Sequence, residues 1–166
     1  ITNLTPLFVK NDELIYDYDD DNTFWANNEF RHFDIKSLRF QSDRIKEIIY
    51  DSTFFHVYLF KDRKRHFDRY SIEPDINGKF LIKSQEGWKS SIEADYAFVH
   101  FTLPVDHISY GDLYILGEFS DWELKKDFKL EYNNEQKQYR GSIYLKQGYY
   151  NYHYALNDIS TGRVDI

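Results

Sequence analysis

The segment Tyr96–Leu103, with the sequence YAFVHFTL, decides the fold class because its side chains alternate with a period of two. One face of the extended segment carries the apolar residues Ala97, Val99, Phe101 and Leu103. His100 and Thr102 share the other face. Alternation of this kind is typical of a β-strand that packs one face against a core. Similar alternation in Leu113–Phe119 and Gln138–Leu145 supplies partners for that core.

The composition extends the β prediction to the whole chain. Of the 166 residues, 15 are tyrosine and 14 are phenylalanine, whereas alanine is scarce. Aromatic and β-branched side chains favour pleated sheets over helices. Ten strands are predicted, at Leu14–Tyr18, Glu29–Ile35, Arg44–Tyr50, Phe54–Lys61, Lys79–Lys83, Tyr96–Leu103, Leu113–Phe119, Phe128–Tyr132, Gln138–Leu145 and Tyr149–Leu156. Their spacing of roughly 10 to 15 residues is typical of a β-sandwich and leaves no room for crossover helices.

A polar segment divides the predicted strands into two groups. Residues 84–94 read SQEGWKSSIEA, which places small and polar side chains between two strand patterns. We therefore predict an all-β chain of two immunoglobulin-like β-sandwich domains in tandem, spanning residues 1–90 and 94–166. Within the first, Asn77 and Gly78 predict a tight turn, because both residues tolerate left-handed backbone conformations.

Charge and cysteine content exclude several classes of protein. The chain has 28 acidic and 21 basic side chains, a net charge of −7 and no cysteine. Nucleic-acid binding depends on clustered basic residues, so no nucleic-acid partner is expected. Without cysteine, thiol catalysis and disulfides are excluded. No stretch of about 18 apolar residues occurs, so no membrane insertion is expected. Because no leader precedes Ile1, we expect a fragment of a longer precursor without its signal peptide.

Two sets of side chains resemble metal ligands but fit them poorly. Asp17, Asp19 and Asp21 have the spacing of the first ligands of a calcium loop. Asn22 and Asn28 stand where such a loop has glycine and glutamate, so a solvated acidic hairpin end is the favoured interpretation. The six histidines form no HExxH pair and no close triplet. We therefore predict no metal ion and no cofactor.

The chain contains none of the sequence motifs that mark common catalytic sites. It has no GxSxG elbow, no phosphate-binding GxxxxGKS or GxxxxGKT loop, no GxGxxG and no cysteine nucleophile. We therefore predict that the protein is not an enzyme and has no catalytic residues. The basic run Lys61–His66 is interpreted as a charged hairpin tip that protects a sheet edge.

The most informative segments for function lie in the second half of the chain. In Leu113–Trp122 a strand ends in glycine and a turn follows that presents Phe119 and Trp122. In Leu145–Tyr154 alternation places Tyr150, Tyr152 and Tyr154 on one face, and Tyr149, Asn151 and His153 on the other. Flat rings beside amide and imidazole donors suit a sugar-binding platform. In the alternative interpretation one tyrosine face belongs to the core and Trp122 caps the sandwich.

These segments resemble a known family. Over about Asp95–Asp158, the patterns VxFxL, LYILGEFSDW and YxxxIxLxxGYYNYHYA are similar to the early-set immunoglobulin-like domain of glycogen-binding modules. Such modules occur in AMP-activated kinase β subunits and in branching enzymes. The resemblance implies that Trp122 occupies the place of a tryptophan that stacks on glucose. It also implies that His153 stands where the family has a lysine that contacts sugar.

A second resemblance covers essentially the whole chain. Five segments occur in order: NNEFRHFDIKS (Asn27–Ser37), DRYSIEPDINGKF (Asp68–Phe80), ADYAFVHFTLP (Ala94–Pro104), LYILGEFSDW (Leu113–Trp122) and LKQGYYNYHY (Leu145–Tyr154). Together they resemble the plug protein family of the bacterial type IX secretion system. The resemblance implies a non-catalytic, periplasmic β protein that associates with the outer membrane. Such a protein closes the inner mouth of the translocon barrel, which would be its protein partner.

A plug has to bind its partner tightly and still be displaced, which favours rigid aromatic anchors with a polar rim. The three tryptophans Trp25, Trp88 and Trp122 are the predicted anchors. The other candidate partner-binding or glycan-binding residues are Phe119, Tyr150, Tyr152 and His153. Two functions stay open at this point. One is a plug that binds the translocon barrel, and the other is an α-glucan-type binding module of a surface carbohydrate system.

Overall fold

The computed structural model describes residues 8–10, 13–15, 30–63, 76–86 and 90–166 of the chain. These ranges contain twelve strands, one short helix and two 3-10 turns. The strands are β1 (Phe8–Lys10), β2 (Glu13–Ile15), β3 (Arg31–Asp34), β4 (Ile45–Tyr50), β5 (Phe55–Leu59), β6 (Phe80–Ile82), β7 (Tyr96–Leu103), β8 (Gly111–Leu116), β9 (Glu131–Asn133), β10 (Gln138–Lys146), β11 (Gly148–Asp158) and β12 (Val164–Asp165). The helix α1 spans Ser90–Glu93, and the 3-10 turns span Glu118–Ser120 and Lys126–Phe128. None of the helices in these ranges has the length and apolar character needed to span a membrane.

The first sheet combines early and late strands of the chain. Its order is β4-β5-β7-β10-β9. The strands β5 and β7 run parallel, whereas the other neighbours are antiparallel. All residues of β7 pair with β10, from Tyr96 opposite Lys146 to Leu103 opposite Tyr139. The segment that decided the fold class therefore lies in the middle of this sheet.

The second sheet is organised around the long strand β11. Its first half pairs with β3 and β6 on opposite edges, since Tyr149 and Tyr150 pair with both strands. Its second half pairs with β8 and β12 on opposite edges, since Leu156 and Asn157 pair with both. One strand of 11 residues therefore joins four others. A separate two-stranded sheet consists of β1 and β2.

The core lies between the two five-stranded sheets and uses alternate positions of their strands. The predicted apolar face of β7 is buried, with Ala97, Val99, Phe101 and Leu103 at most 6% exposed. From the second sheet, the ring of Phe33 stacks on Tyr150 with centroids 5.1 Å apart. Phe101 meets Phe33 edge to face at 5.5 Å, which connects the two sheets. The prediction of an all-β sandwich is confirmed.

The predicted boundary at residues 84–94 does not separate two groups of strands in the described structure. The strands β5 and β7 lie on opposite sides of it and are neighbours in the first sheet. The strands β3 and β6 likewise precede it and pair with β11. One hydrophobic cluster includes residues from both sides of it. The described strands on the two sides of the predicted boundary therefore build one sandwich. Along the chain, the polar segment lies between β6 of the second sheet and β7 of the first.

The predicted strands agree with the structure in most places. Lys79–Lys83 and Gln138–Leu145 correspond closely to β6 and β10. Phe128–Tyr132 is displaced, because its first residue ends a 3-10 turn and β9 begins only at Glu131. Leu14–Tyr18 lies largely outside the described residues. The predicted turn is confirmed, since Asn77 and Gly78 have φ angles of 55° and 75°.

A buried carboxylate, Asp62, connects the two sheets at one end of the core. The residue is 2% exposed. Its Oδ1 accepts hydrogen bonds from Arg31 Nη1 at 3.1 Å and from Arg44 Nη2 at 2.8 Å. Its Oδ2 accepts hydrogen bonds from the hydroxyls of Tyr152 and Tyr154, each at 2.6 Å. Four donors on three segments therefore compensate one buried charge.

The surroundings of Asp62 keep its hydroxyl donors protonated. Burial is the main cause that raises the pKa of Tyr152 well above its usual value, and the charge of Asp62 adds to it. Burial likewise raises the pKa of Tyr154. The backbone N–H of Asp62 donates to Thr102 O at 2.9 Å, which ties the carboxylate to β7. The guanidinium of Arg31 also lies over the ring of Tyr154, 5.4 Å from its centroid.

Replacing Asp62 by alanine is expected to lower the free energy of unfolding by about 3–5 kcal/mol. The substitution leaves two guanidinium groups and two tyrosine hydroxyls without their acceptor. Urea denaturation at pH 7 measures the loss. Asp43→Ala removes an exposed carboxylate and serves as the control, with a change within about 0.5 kcal/mol. Equal losses in the two variants would show that the Asp62 contacts do not stabilise the sandwich.

Candidate functional site

The turn after β8 holds Trp122 in an uncommon backbone conformation. Asp121 and Trp122 have φ angles of 57° and 58°, in the left-handed region that bulky residues rarely adopt. Ser120 is fully buried and closes the turn, because its hydroxyl donates to Gly117 O at 2.8 Å and accepts from Gly117 N at 3.2 Å. The backbone N–H of Trp122 also donates to Gly117 O, at 3.2 Å. These bonds fix the position from which the indole extends.

The indole of Trp122 lies directly against Gly78. A Cβ atom added to Gly78 would lie 2.4 Å from Cη2 and 2.6 Å from Cζ2 of Trp122. The ring of Phe30 approaches the indole at a steep angle, with centroids 5.9 Å apart. Trp122 nevertheless remains 45% exposed. The indole is therefore packed on one side and open to solvent elsewhere.

Hydrogen bonds hold the Gly78 turn against the second sheet. The side-chain Oδ1 of Asn151 accepts from the backbone N–H of Ile76 at 2.7 Å and of Gly78 at 3.3 Å. Glu118 N donates to Gly78 O at 3.0 Å. The carboxylate of Glu118 accepts from Phe80 N at 3.2 Å. The structure thus brings the turn after β8 and the Asn-Gly turn together under Trp122.

Three of the residues predicted to bind a partner or a glycan lie in the core or pack against it. Tyr150 and Tyr152 are each 1% exposed. Phe119 is partly buried and meets the rings of Phe128 and Tyr150 edge to face, at 5.6 and 5.7 Å. Burial raises the pKa of Tyr150, and its hydroxyl donates to Lys146 O at 2.5 Å. These positions agree with the alternative interpretation, in which one tyrosine face of β11 belongs to the core.

The structure describes two of the other four predicted site residues. The ring of His153 is partly buried against Phe30, with centroids 4.0 Å apart. Because Phe30 also contacts Trp122, it connects the two predicted residues on the outer side of the second sheet. Outside the described residues lie Trp25, Trp88, the acidic residues Asp17, Asp19 and Asp21, and the part of the basic run from Lys64 to His66.

The outer face of the first sheet carries rings that the sequence reasoning did not select. We call this surface the aromatic face, and its members are Phe54, His56, Tyr58, Tyr96, Phe98, His100 and Tyr144. Phe54, Tyr96 and Tyr144 are 39%, 47% and 48% exposed. The signal was present in the segment YAFVHFTL, where Tyr96, Phe98 and His100 alternate with the core residues. Alternation identified which residues share a face, but both faces of β7 carry rings.

The rings of the aromatic face pack mainly against one another. Tyr96 lies nearly parallel to Tyr144, with centroids 5.1 Å apart and planes 19° apart. His56 lies nearly parallel to Phe98 at 5.5 Å, and Phe54 meets Phe98 edge to face at 5.4 Å. Each ring therefore covers part of its neighbour's face. A partner would therefore contact the edges of these rings more than their faces.

One histidine of the aromatic face is held in its neutral form. Tyr58 stacks on His100 with centroids 4.3 Å apart and planes 12° apart. Burial is the main cause that lowers the pKa of His100 to about 4, and the nearby His56 contributes. His100 is therefore uncharged at pH 7, and its ring can pack among apolar neighbours without a buried charge.

A cavity of about 300 Å³ is lined by residues that include the first residue of β5 and the residue between β10 and β11. Its lining includes Leu38, Phe55, Ser84, Glu86, Asp95 and Gln147. Glu86 accepts hydrogen bonds from the side chains of Ser37, Ser84 and Gln147. Burial acts to raise the pKa of Glu86, but these bonds lower it overall. In the described part of the chain, no group of three or more His, Cys, Asp or Glu side chains could hold a metal ion.

The fold is shared with a solved structure. The crystal structure of a hypothetical protein from Parabacteroides merdae ATCC 43184 is similar to this chain, with a TM-score of 0.80 and 32% sequence identity. The similarity covers 86% of this chain and 36% of that protein. No protein-family model and no curated protein matches the chain. The comparison supports the class of all-β sandwich proteins and carries no statement of function.

Replacing Gly78 by alanine is expected to destabilise the protein more than replacing Gly162. Gly78 and Gly162 have φ angles of 75° and 66°, so alanine would be strained at both, by roughly 1–2 kcal/mol. Only at Gly78 would the new methyl group meet Trp122, because nothing lies within 4 Å of a Cβ at Gly162. Urea denaturation of both variants measures the difference, which reports the contact with Trp122. If the two variants lose the same free energy of unfolding, this contact contributes nothing.

Proposed function

We propose that the chain is a non-catalytic, protein-binding part of a type IX secretion plug protein. In this proposal the whole protein lies in the periplasm, associates with the outer membrane and closes the periplasmic mouth of the translocon barrel. The translocon barrel is proposed as the partner because the five sequence segments resemble the plug protein family. The exposed aromatic face is the observation that carries the protein-binding part of the proposal.

The aromatic face differs from the usual outer face of an antiparallel sheet, which is polar where it meets water. Ile49 extends it along β4, where it pairs with His56, and is 42% exposed. Contiguous exposed apolar side chains mark sites of protein contact. Aromatic residues are also enriched at the centres of protein interfaces, where they contribute most of the binding energy. This surface therefore suits a protein partner.

Charged side chains surround the aromatic face. Lys46 and Glu47 are exposed on the edge strand β4. On the other side, Lys146 Nζ lies over the ring of Tyr96, 5.5 Å from its centroid. An aromatic centre with a charged rim gives binding that is specific and responds to competing charges. A plug that has to be released needs an interface of this kind.

A glycan-binding module is the second candidate function, and the half-exposed indole of Trp122 favours it. An indole that rests on Gly78 and is open elsewhere could stack on a pyranose ring. Tyr150 and Tyr152 are buried, however, so they cannot extend the platform. A single accessible ring gives less support to sugar binding than the aromatic face gives to protein binding.

The substitution Tyr144→Lys is expected to weaken capture of the translocon barrel at least tenfold. A central aromatic residue contributes about 2 kcal/mol, or roughly 30-fold in affinity, and lysine would place a charge in the apolar centre. Affinity purification of the tagged full-length protein from its native outer membrane, with quantitative mass spectrometry, measures the capture. Tyr110→Lys is the control, because Tyr110 is 55% exposed and lies outside the aromatic face.

Two results would contradict parts of this proposal. Capture of the barrel that is equal in the Tyr144→Lys variant and the wild type would exclude the aromatic face as the docking surface. Recovery of glycan-utilisation proteins in place of the barrel would favour the second function. In that case tryptophan fluorescence should change saturably with maltooligosaccharides, and Trp122→Ala should abolish the change.

A further inference from the structure

The Asn-Gly turn holds the two residues that react most readily in spontaneous deamidation. In this reaction the backbone nitrogen of the following residue attacks the side-chain amide carbon of an asparagine. Asn77 is exposed, and it is the only asparagine of the chain that precedes a glycine. Gly78 has no Cβ atom that would obstruct the attack. The sequence of the turn therefore favours deamidation, and its structure decides how fast the reaction runs.

Hydrogen bonds hold the nitrogen that would attack. Gly78 N–H donates to Asn151 Oδ1 at 3.3 Å, and the same oxygen accepts from Ile76 N at 2.7 Å. Lys79 N closes the turn by donating to Ile76 O at 3.2 Å. The Asn151 side chain that provides the acceptor is fully buried. Attack on Asn77 would break this arrangement, because the five-membered ring forms only when the Gly78 nitrogen turns toward the Asn77 side chain.

Packing also keeps bases away from the Gly78 nitrogen. Gly78 is buried, although Asn77 beside it is exposed. The indole of Trp122 and the ring of Phe30 lie 2.4 and 2.6 Å from the place where a Cβ atom of Gly78 would stand. Gly78 O accepts from Glu118 N at 3.0 Å. An amide nitrogen attacks only after it loses its proton, and a buried, hydrogen-bonded N–H loses its proton slowly. The reaction therefore requires the turn to open.

We propose that Asn77 is a site of spontaneous deamidation, and that the turn under Trp122 controls its rate. In the open turn, hydroxide removes the proton of Gly78 N, and this nitrogen forms a bond to Cγ of Asn77. The bond from Cγ to the side-chain nitrogen breaks, and ammonia leaves with a proton from water, which restores the hydroxide. Water then opens the resulting succinimide at one of its two carbonyls, which gives aspartate or isoaspartate at position 77. This site goes beyond the proposed function and does not depend on it.

The isoaspartate product does not fit the present turn. Its backbone passes through the former side chain, which adds one carbon atom to the chain before Gly78. The turn has room for two residues with φ angles of 55° and 75°. A longer backbone no longer places Gly78 both against the indole of Trp122 and beside Asn151 Oδ1. Deamidation therefore loosens the contact that holds Trp122.

Incubation of the full chain at mildly alkaline pH, followed by peptide mass spectrometry, tests the proposal. In urea, where the chain is unfolded, Asn77 should convert roughly tenfold faster or more than Asn134, an exposed turn residue that precedes Glu135. In the folded chain the conversion of Asn77 should slow by roughly tenfold or more, which corresponds to about 1.4 kcal/mol for opening of the turn. Asn77→Gln should abolish the product, because glutamine would have to form a six-membered ring.

Two variants separate opening of the turn from unfolding of the whole protein. Asn151→Ala removes the acceptor of the Gly78 N–H and should speed the conversion of Asn77 in the folded chain about fivefold. Val99→Ala creates a cavity in the core on β7 and should leave the conversion rate unchanged, although it lowers the free energy of unfolding. Denaturation midpoints establish whether each variant is folded.

Equal conversion of Asn77 and Asn134 in urea would overturn the assignment of Asn77 as the site. Equal conversion of Asn77 in the folded and the unfolded chain would show that the turn does not control the reaction. Both measurements use the wild type and need no variant to fold. Equal acceleration by Asn151→Ala and Val99→Ala would also contradict control by the turn. Barrel capture is measured on the unmodified chain, so either proposal can fail while the other stands.

Discussion

The sandwich depends on the compensation of one buried charge, that of Asp62. Burying a carboxylate costs several kcal/mol unless donors surround it, and here donors come from β3, from β11 and from the segment before β4. Apolar packing tolerates many arrangements of similar volume. A buried carboxylate with four donors tolerates only those arrangements of the two sheets that keep all four donors in place. Asp62 therefore fixes how the two sheets meet, whereas Phe33 and Phe101 supply the buried area.

The strands were largely predictable from sequence, and their partners were not. Alternation over Tyr96–Leu103 is a local property, and it correctly identified the buried side of β7. Pairing of β3 with β11 joins residues such as Phe33 and Tyr150, which no local pattern connects. The same is true of the parallel pair β5 and β7. A polar segment between strand patterns could therefore be read as a domain boundary although it only links the two sheets.

The candidate site was predictable where a turn and an exposed ring coincide, as at Trp122. It was not predictable in β11, because alternation cannot tell which of two aromatic faces is buried. Tyr150 and Tyr152 proved to be on the core side. For β7 the error was the opposite one. The prediction considered only the apolar face, which is buried, and overlooked the rings on the other face of the strand, which belong to the aromatic face. Asp62 was hidden for a different reason, since it lies within a run of charged residues that is typical of a solvated tip.

The central position of β11 also has a consequence for biogenesis. The chain is synthesised from its N-terminus, and β3 and β6 emerge long before the strand that lies between them. Until Gly148–Asp158 is available, the edges of β3 and β6 that pair with it stay unsatisfied. Pairing between distant segments is slow and leaves such edges open to other chains. The second sheet is therefore the last to close, and its unpaired edges stay open to other chains until that strand arrives.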